Sequence, residues 1–211
     1  SPLAKIAAQI MSGKTLKALK ITKFKKPKFY SVKEAVLPFE KFQAVDPILG
    51  PEMRSTGEVM GIAPSFVEAF EKAEIAAGVS IPLEGSAFLS IRNTDKAYLG
   101  ELAKSLTNSG FKLVATRGTA RDLETMGFKV EIINKVLEGR PHIVDLMKNK
   151  EISLVVNTTE GRESITDSAS IRRTALDQKI CCSTTIEGAR AICKVIENQV
   201  DWRVKKLQDI H

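Results

Sequence analysis

The run Gly110-Phe111-Lys112-Leu113-Val114-Ala115-Thr116-Arg117-Gly118-Thr119 decides the fold, because its opening is echoed at Gly127-Phe128-Lys129-Val130. Each copy sets a glycine where a helix ends and follows it with a strand that begins on an aromatic. Outward from this run, the same rhythm fills the chain from Ser86 onward. Strands are predicted near residues 87–91, 112–116, 129–133, 152–157 and 179–183. Helices are predicted near 95–108, 119–126, 142–149, 168–177 and 185–198, with a short terminal helix after Trp202. Short apolar strands alternating with helices predict an α/β fold, a five-stranded parallel sheet flanked by helices.

Upstream the pattern is less regular. Leu3, Ile6, Ala7 and Ile10 fall at helical spacing from the first residues, so the chain is expected to be a piece of something longer. A lysine-rich stretch (Lys23, Lys25, Lys26, Lys28) precedes a strand predicted over 30–39, and Pro38, Pro47 and Pro51 punctuate an irregular segment. Ser65-x-x-Glu68 reads as a capping box opening a helix with Phe66, Phe70 and Ala73 inward. That helix stops at Gly78. The polar stretch 78–85 is the best linker, which divides the chain into residues 1–82 and 83–211.

Composition narrows the function. Of 211 residues, 43% are hydrophobic and 27% charged, as in ordinary globular proteins rather than disordered ones. Thirty-two Lys and Arg oppose 25 Asp and Glu, and the +7 excess is spread over both parts of the chain. Such diffuse basicity favours small anions over a dedicated nucleic-acid surface, so no nucleic-acid partner is expected. No apolar run reaches the ~20 residues of a membrane span, and Ser1-Pro2-Leu3 does not open a secretory signal, so no membrane partner and a cytoplasmic setting are expected. Three cysteines, two of them adjacent, and the histidines His142 and His211 support neither a disulfide framework, a zinc site nor a Ser-His-Asp triad.

Ligands of open parallel sheets bind beyond the carboxyl ends of the strands. There the chain places Arg92-Asn93-Thr94-Asp95-Lys96, Thr116-Arg117-Gly118-Thr119, Asn134-Lys135, Asn157-Thr158-Thr159 and Ser183-Thr184-Thr185. Gly118 lets backbone N–H groups approach an anion, Thr119 opens a helix whose N-terminus favours negative charge, and Lys96 or Lys135 supplies the cation. Capping alone would explain about half of these hydroxyls and amides. Their convergence predicts a phosphate pocket. Without Gly-x-Gly-x-x-Gly or a Walker lysine, a mononucleotide or small phosphate fits it better than a dinucleotide. His142 reads as a capping residue, Asp95, Glu160 and Asp167 as stabilising carboxylates, and Cys181 and Cys182 as buried side chains facing opposite ways. The pocket is expected to bind rather than react, with no catalytic residue and no metal.

The run from Phe39-Glu40-Lys41-Phe42 through Val45-Asp46-Pro47-Ile48-Leu49-Gly50-Pro51-Glu52-Met53-Arg54-Ser55-Thr56-Gly57-Glu58-Val59-Met60-Gly61 closely resembles the large subunit of bacterial glutamine-dependent carbamoyl-phosphate synthase. So do Pro2-Leu3-Ala4-Lys5-Ile6-Ala7, Asn134-Lys135-x-x-Glu138-Gly139-Arg140-Pro141-His142-Ile143 and Ile171-Arg172-Arg173. The resemblance implies that residues 1–82 are the tail of the second ATP-grasp unit, and that 83–211 form an allosteric domain with the fold of methylglyoxal synthase. It implies UMP as inhibitor and IMP as activator at one site, with phosphate contacts from Lys96, Thr116, Thr119 and Lys135. Asn157 and Thr159 would complete that pocket, with Asp167 near the ribose. Ornithine would bind at the domain junction through Glu34 and Thr184, yet Cys182 and Ser183 stand where the enterobacterial form has an aromatic and an acid. The whole enzyme would make carbamoyl phosphate from glutamine and bicarbonate with ATP and magnesium or manganese, for pyrimidine and arginine synthesis. Its partners would be a small glutaminase subunit and the rest of the large subunit, and a homo-oligomer is compatible. These residues alone should carry no cofactor and no synthase activity. The alternative, an independent methylglyoxal-synthase-like lyase, needs a histidine and an acid at the phosphate site. Residues 91–96 lack that histidine, and Arg140-Pro141-His142 has no aspartate.

Overall fold

The computed structural model describes residues 2–21, 27–36, 57–160, 168–199 and positions 204, 206 and 208. Its elements in chain order are α1 (Leu3–Met11), β1 (Tyr30–Val36), β2 (Gly57–Ala63), α2 (Phe66–Ala76), β3 (Ser86–Ser90), a 3-10 segment (Asn93–Tyr98), α3 (Leu99–Asn108), β4 (Lys112–Thr116) and α4 (Arg117–Thr125). They continue with β5 (Val130–Ile133), α5 (Ile143–Lys148), β6 (Leu154–Asn157), α6 (Ala169–Asp177), β7 (Cys181–Ser183) and α7 (Ile186–Glu197). The lysine-rich run through Lys26, the proline-punctuated segment, most of the long family-like run, Asp167 and the helix expected after Trp202 lie outside the described residues.

The strands β3 to β7 form a parallel sheet in the order β5-β4-β3-β6-β7. Period-two alternation sorts its side chains into two cores. Ala87, Leu89, Leu113, Ala115, Leu154, Val156 and Cys181 face one layer, where they meet α3, α4 and α7 through residues such as Leu102, Leu123 and Ile192. Phe88, Val114, Val155 and Cys182 face the other, against Ile143, Met147 and Ile171 of α5 and α6. Phe88 is fully buried, a contribution of roughly 1.5–3 kcal/mol for a side chain of that size. Helices α3 and α4 lie on one face, and the return from β5 to β6 passes over the other, as right-handed crossovers require.

The helix expected from Asp95 divides, because Asn93–Tyr98 winds as a 3-10 segment before α3 begins at Leu99. From Ser86 onward, strand and helix ends otherwise differ from expectation by a residue or two; of the strand expected over 30–39, residues 37–39 lie outside the described residues.

Strands β1 and β2 pair antiparallel, Tyr30 opposite Ala63 and Val36 opposite Gly57, and α2 packs across them. Ser65 Oγ accepts from Glu68 N at 3.2 Å, one half of the expected capping box. The Glu68 carboxylate turns instead to Lys72 Nζ at 2.7 Å. Phe66, expected inward, is exposed and stacks on Phe70 with ring centroids 5.7 Å apart. The buried face of α2 is made by Ala69 and Ala73, small enough to let Gly61 of β2 approach the helix backbone. Helix α2 also touches α7, and Phe70, Val79 and Ile81 pack on the first core. The segment 78–85 is therefore docked on the sheet domain rather than a free tether.

Candidate functional site

The chain leaves β3 toward β4 and leaves β6 toward β7, so the connections of these two adjacent strands diverge and open a crevice at their carboxyl ends. Ser90 and Asn157 close the two strands in register. Backbone ties hold the crevice walls. Ile91 N donates to Thr119 Oγ1 at 3.2 Å, and Arg92 N donates to Thr158 Oγ1 at 3.0 Å. Arg92 also forms a fork with Asp95, at 2.7 and 3.1 Å, which fixes the loop after β3.

These bonds separate capping hydroxyls from the rest. Thr185 is an ordinary cap, accepting from Gly188 N at 3.1 Å. Thr116 precedes α4 yet makes no side-chain cap bond, and Thr119 and Thr158 serve neighbouring loops. The first N–H groups of α4 thus keep no hydroxyl from Thr116 in front of them, which is the arrangement an anion uses. A side chain at Gly118 would meet nothing within 4 Å and needs no left-handed backbone. Packing does not call for glycine there, whereas a ligand approaching the turn would.

Asn157 is the most informative residue. It is 1% exposed, and neither its amide nitrogen nor its amide oxygen has a hydrogen-bond partner among the described residues. A buried polar group left unpaired costs about 1–3 kcal/mol, so it marks a place where something else completes the bonding.

The cations take different positions. Lys96 is half-buried with its Nζ 2.8 Å from Asp122 Oδ2. Lys135 stands exposed beyond β5, where its backbone N donates to Glu138 Oε2 at 3.1 Å. Its loop is tethered beside α4 through Asn134, which accepts from Arg117 Nη2 and donates to Pro141 O, each at 3.2 Å. The structure thus brings Lys96, Thr116, Gly118, Thr119 and the Lys135 loop to one sheet edge. Asn157 lies across β3 from them, followed by the partly buried Thr159. Asp167 lies outside the described residues. Sequence reading missed the wall formed by Thr158 and the pairing of Lys96 with Asp122. The first could be sought in the Asn-Thr-Thr run; the second leaves no trace in spacing.

His142 is the N-cap of α5, with its backbone N donating to Asp145 Oδ2 at 3.0 Å. Burial pushes the thiols of Cys182 and Cys193 up to about 12 and about 11, and that of Cys181 further still, so all three stay protonated near neutrality. Among the described residues, no group of three or more His, Cys, Asp or Glu could hold a metal ion, and no helix is long and apolar enough to cross a membrane.

Glu34 lies on β1, and Thr184 is exposed just past β7, one position beyond the Val156–Ser183 pair and so beside the carboxyl end of β6. Burial, and then the charge of Glu34, push the Glu74 carboxyl from its ordinary 4.5 up to about 7. The folded chain therefore holds this proton more tightly than the unfolded one. The stability it contributes is fully present below about 4.5 and is lost as pH rises through about 7. Urea denaturation across that window is expected to show the loss in the native chain and a flatter profile in Glu74→Gln. Equal slopes for the two would contradict the assignment.

The MGS-like domain family matches residues 98–184, within the doubly wound sheet that carries this strand-end crevice, and the fold is consistent with that family. The similarity to known proteins extends well beyond that domain. Over 209 residues, 99% of its length, the chain is 55% identical to the carbamoyl phosphate synthase large chain of Pseudomonas aeruginosa, covering 20% of that protein. It is 56% identical over 209 residues to the large chain of Pseudomonas syringae pv. tomato, again 99% and 20% of the two chains. With that of Xanthomonas axonopodis pv. citri, identity is 55% over 210 residues, 100% and 19% respectively. The chain spans about a fifth of the length of these relatives and corresponds in sequence to the C-terminal region of the carbamoyl phosphate synthase large chain.

Proposed function

We propose that the chain is the nucleotide-sensing region of a carbamoyl-phosphate synthase large chain, a ligase, and that the crevice between β3 and β6 takes the phosphate of UMP or IMP. The observation that carries this reading is Asn157, buried with both amide atoms unpartnered among the described residues. The phosphate would sit at the N-terminus of α4, over Gly118 and Thr119, with Lys96 and Lys135 supplying charge. Asn157 and Thr159 would meet the rest of the nucleotide, with Asp167 near its ribose. Binding rather than chemistry fits the nearby Asp95, whose carboxylate is occupied by Arg92.

The similarity to carbamoyl phosphate synthase large chains supports a wider reading. Residues 1–82 would be the tail of an ATP-grasp unit that lies mostly outside this chain and works in the cytoplasm with a glutaminase subunit. UMP would inhibit and IMP activate the whole enzyme through unequal affinity for two global states, an effect typically of ~1–3 kcal/mol. Ornithine is expected to bind this chain poorly, since Cys182 and Ser183 leave Glu34 and Thr184 without the further acid and aromatic tip.

Calorimetric titration of UMP and IMP tests the reading, with Gly118→Ala as the informative variant. Alanine finds open space at that position and suits a helix by about 0.5–1 kcal/mol, so the variant should fold as well as the native chain and lose nucleotide binding. Absence of binding to the native chain at millimolar nucleotide would overturn the proposal. A colorimetric assay showing methylglyoxal made from dihydroxyacetone phosphate would put the lyase reading ahead.

A further inference from the structure

We propose that Asp122 is a positioning residue for the anion site: it pairs with Lys96, holds that ammonium away from the cradle, and yields it only to a ligand that attracts it more strongly. The proposal rests on reading the crevice as a phosphate site. Its geometric basis is the 2.8 Å approach of Lys96 Nζ to Asp122 Oδ2, which joins the loop after β3 to the second turn of α4. Asp122 lies one helical turn beyond Thr119, so the two share a face of α4. Thr119 on that face is tied to Ile91 at the crevice wall.

The pair has little value to the fold. Both side chains are about one-third exposed, at 32% and 34%, and ion pairs so placed contribute little net stability. Oδ2 is itself buried, yet the approach lacks the alignment of a hydrogen bond, so the contact is held by charge and proximity alone. The neighbouring Arg92–Asp95 pair is instead a two-bond fork within one loop, closed on a buried carboxylate. A lysine on a four-carbon stem can leave such a partner by rotation, whereas a guanidinium fork is fixed.

The chemistry that would release Lys96 follows. A carboxylate carries one negative charge, and a nucleotide phosphate near neutrality carries closer to two, presented beside the N–H groups of α4. Coulomb attraction scales with that charge, so a phosphate monoester competes for Lys96 where a carboxylate or an uncharged nucleoside does not. Asp122 thereby lowers affinity for every anion while sharpening the preference for the phosphate. Removing its charge should strengthen binding, and only when Lys96 is present to be released.

The test is a double-mutant cycle on the 211-residue chain, read by calorimetric titration with UMP. Asp122→Asn is expected to tighten UMP about threefold to tenfold in the native background and less than about twofold in Lys96→Met. Asp122→Glu, which keeps the charge, is expected to restore native affinity. Equal tightening with and without Lys96 would show simple repulsion and overturn the proposal, as would an unchanged or weaker Asp122→Asn. If UMP binds neither the native chain nor any variant, the nucleotide reading falls and takes this proposal with it. If the native chain binds and the cycle shows no coupling, only the role of Asp122 falls.

Discussion

UMP binding is expected to weaken roughly tenfold to a hundredfold in Lys135→Ala, since a hydrogen bond to a charged group is worth about 1.5–3 kcal/mol. Lys135 is exposed, and its described hydrogen bonds, one donated by its N to Glu138 Oε2 and one accepted by its O from Glu138 N, both run through its backbone. Removing its side chain should therefore leave the loop closed by Asn134, Pro141 and Arg117, so a change in affinity would report the ammonium itself. Calorimetry at two salt concentrations checks the assignment, because the native affinity should fall with salt more steeply than that of the variant. Unchanged affinity would remove Lys135 from the site.

Gly61→Ala is expected to cost roughly 3 kcal/mol of stability, the upper end of the usual ~1–3 kcal/mol for forcing atoms into a packed interior. A Cβ at this position would stand 1.9 Å from Ala69 O and 2.7 Å from Ala73 N, both backbone atoms of α2 that cannot rotate aside. Gly57→Ala on the same strand is the control. Its Cβ would lie 3.5 Å from Val36 Cβ, an ordinary contact, and the urea midpoint should barely move. Equal midpoints for the two variants would refute the close packing of α2 on the β1–β2 hairpin.

The sheet was legible because its evidence is local. The glycine and aromatic at 110–111 and again at 127–128 announce helix ends and strand starts, and alternation within Leu113-Val114-Ala115 announces two buried faces. Strand order was not legible, since nothing local states that β6 pairs with β3; the crevice follows from that long-range pairing. The site divided likewise. Thr116, Gly118 and Thr119 could be found in one turn, but the hydroxyl of Thr119 serves Ile91 on another element, and the Lys96–Asp122 pair joins two elements by tertiary packing alone. Phe66 was placed inward by helical spacing, which cannot tell that alanines would let β2 approach so closely that the aromatic is left outside. The hydroxyls after the strands were equally compatible with capping and with binding. Only the hydrogen-bond partners distinguish Thr185, a cap, from Thr158, a wall of the crevice.

The most direct test of a completed-by-ligand crevice is the thermal melting of Asn157→Ala with and without UMP. An amide with no partner among the described residues costs the fold stability rather than supplying it, so the variant without nucleotide should melt at or above the native temperature. A ligand that binds only the folded state raises that temperature in the native chain, and this rise should be largely lost in Asn157→Ala. A variant that melts well below the native chain yet shows an undiminished rise with UMP would make Asn157 a residue of the fold and contradict the account.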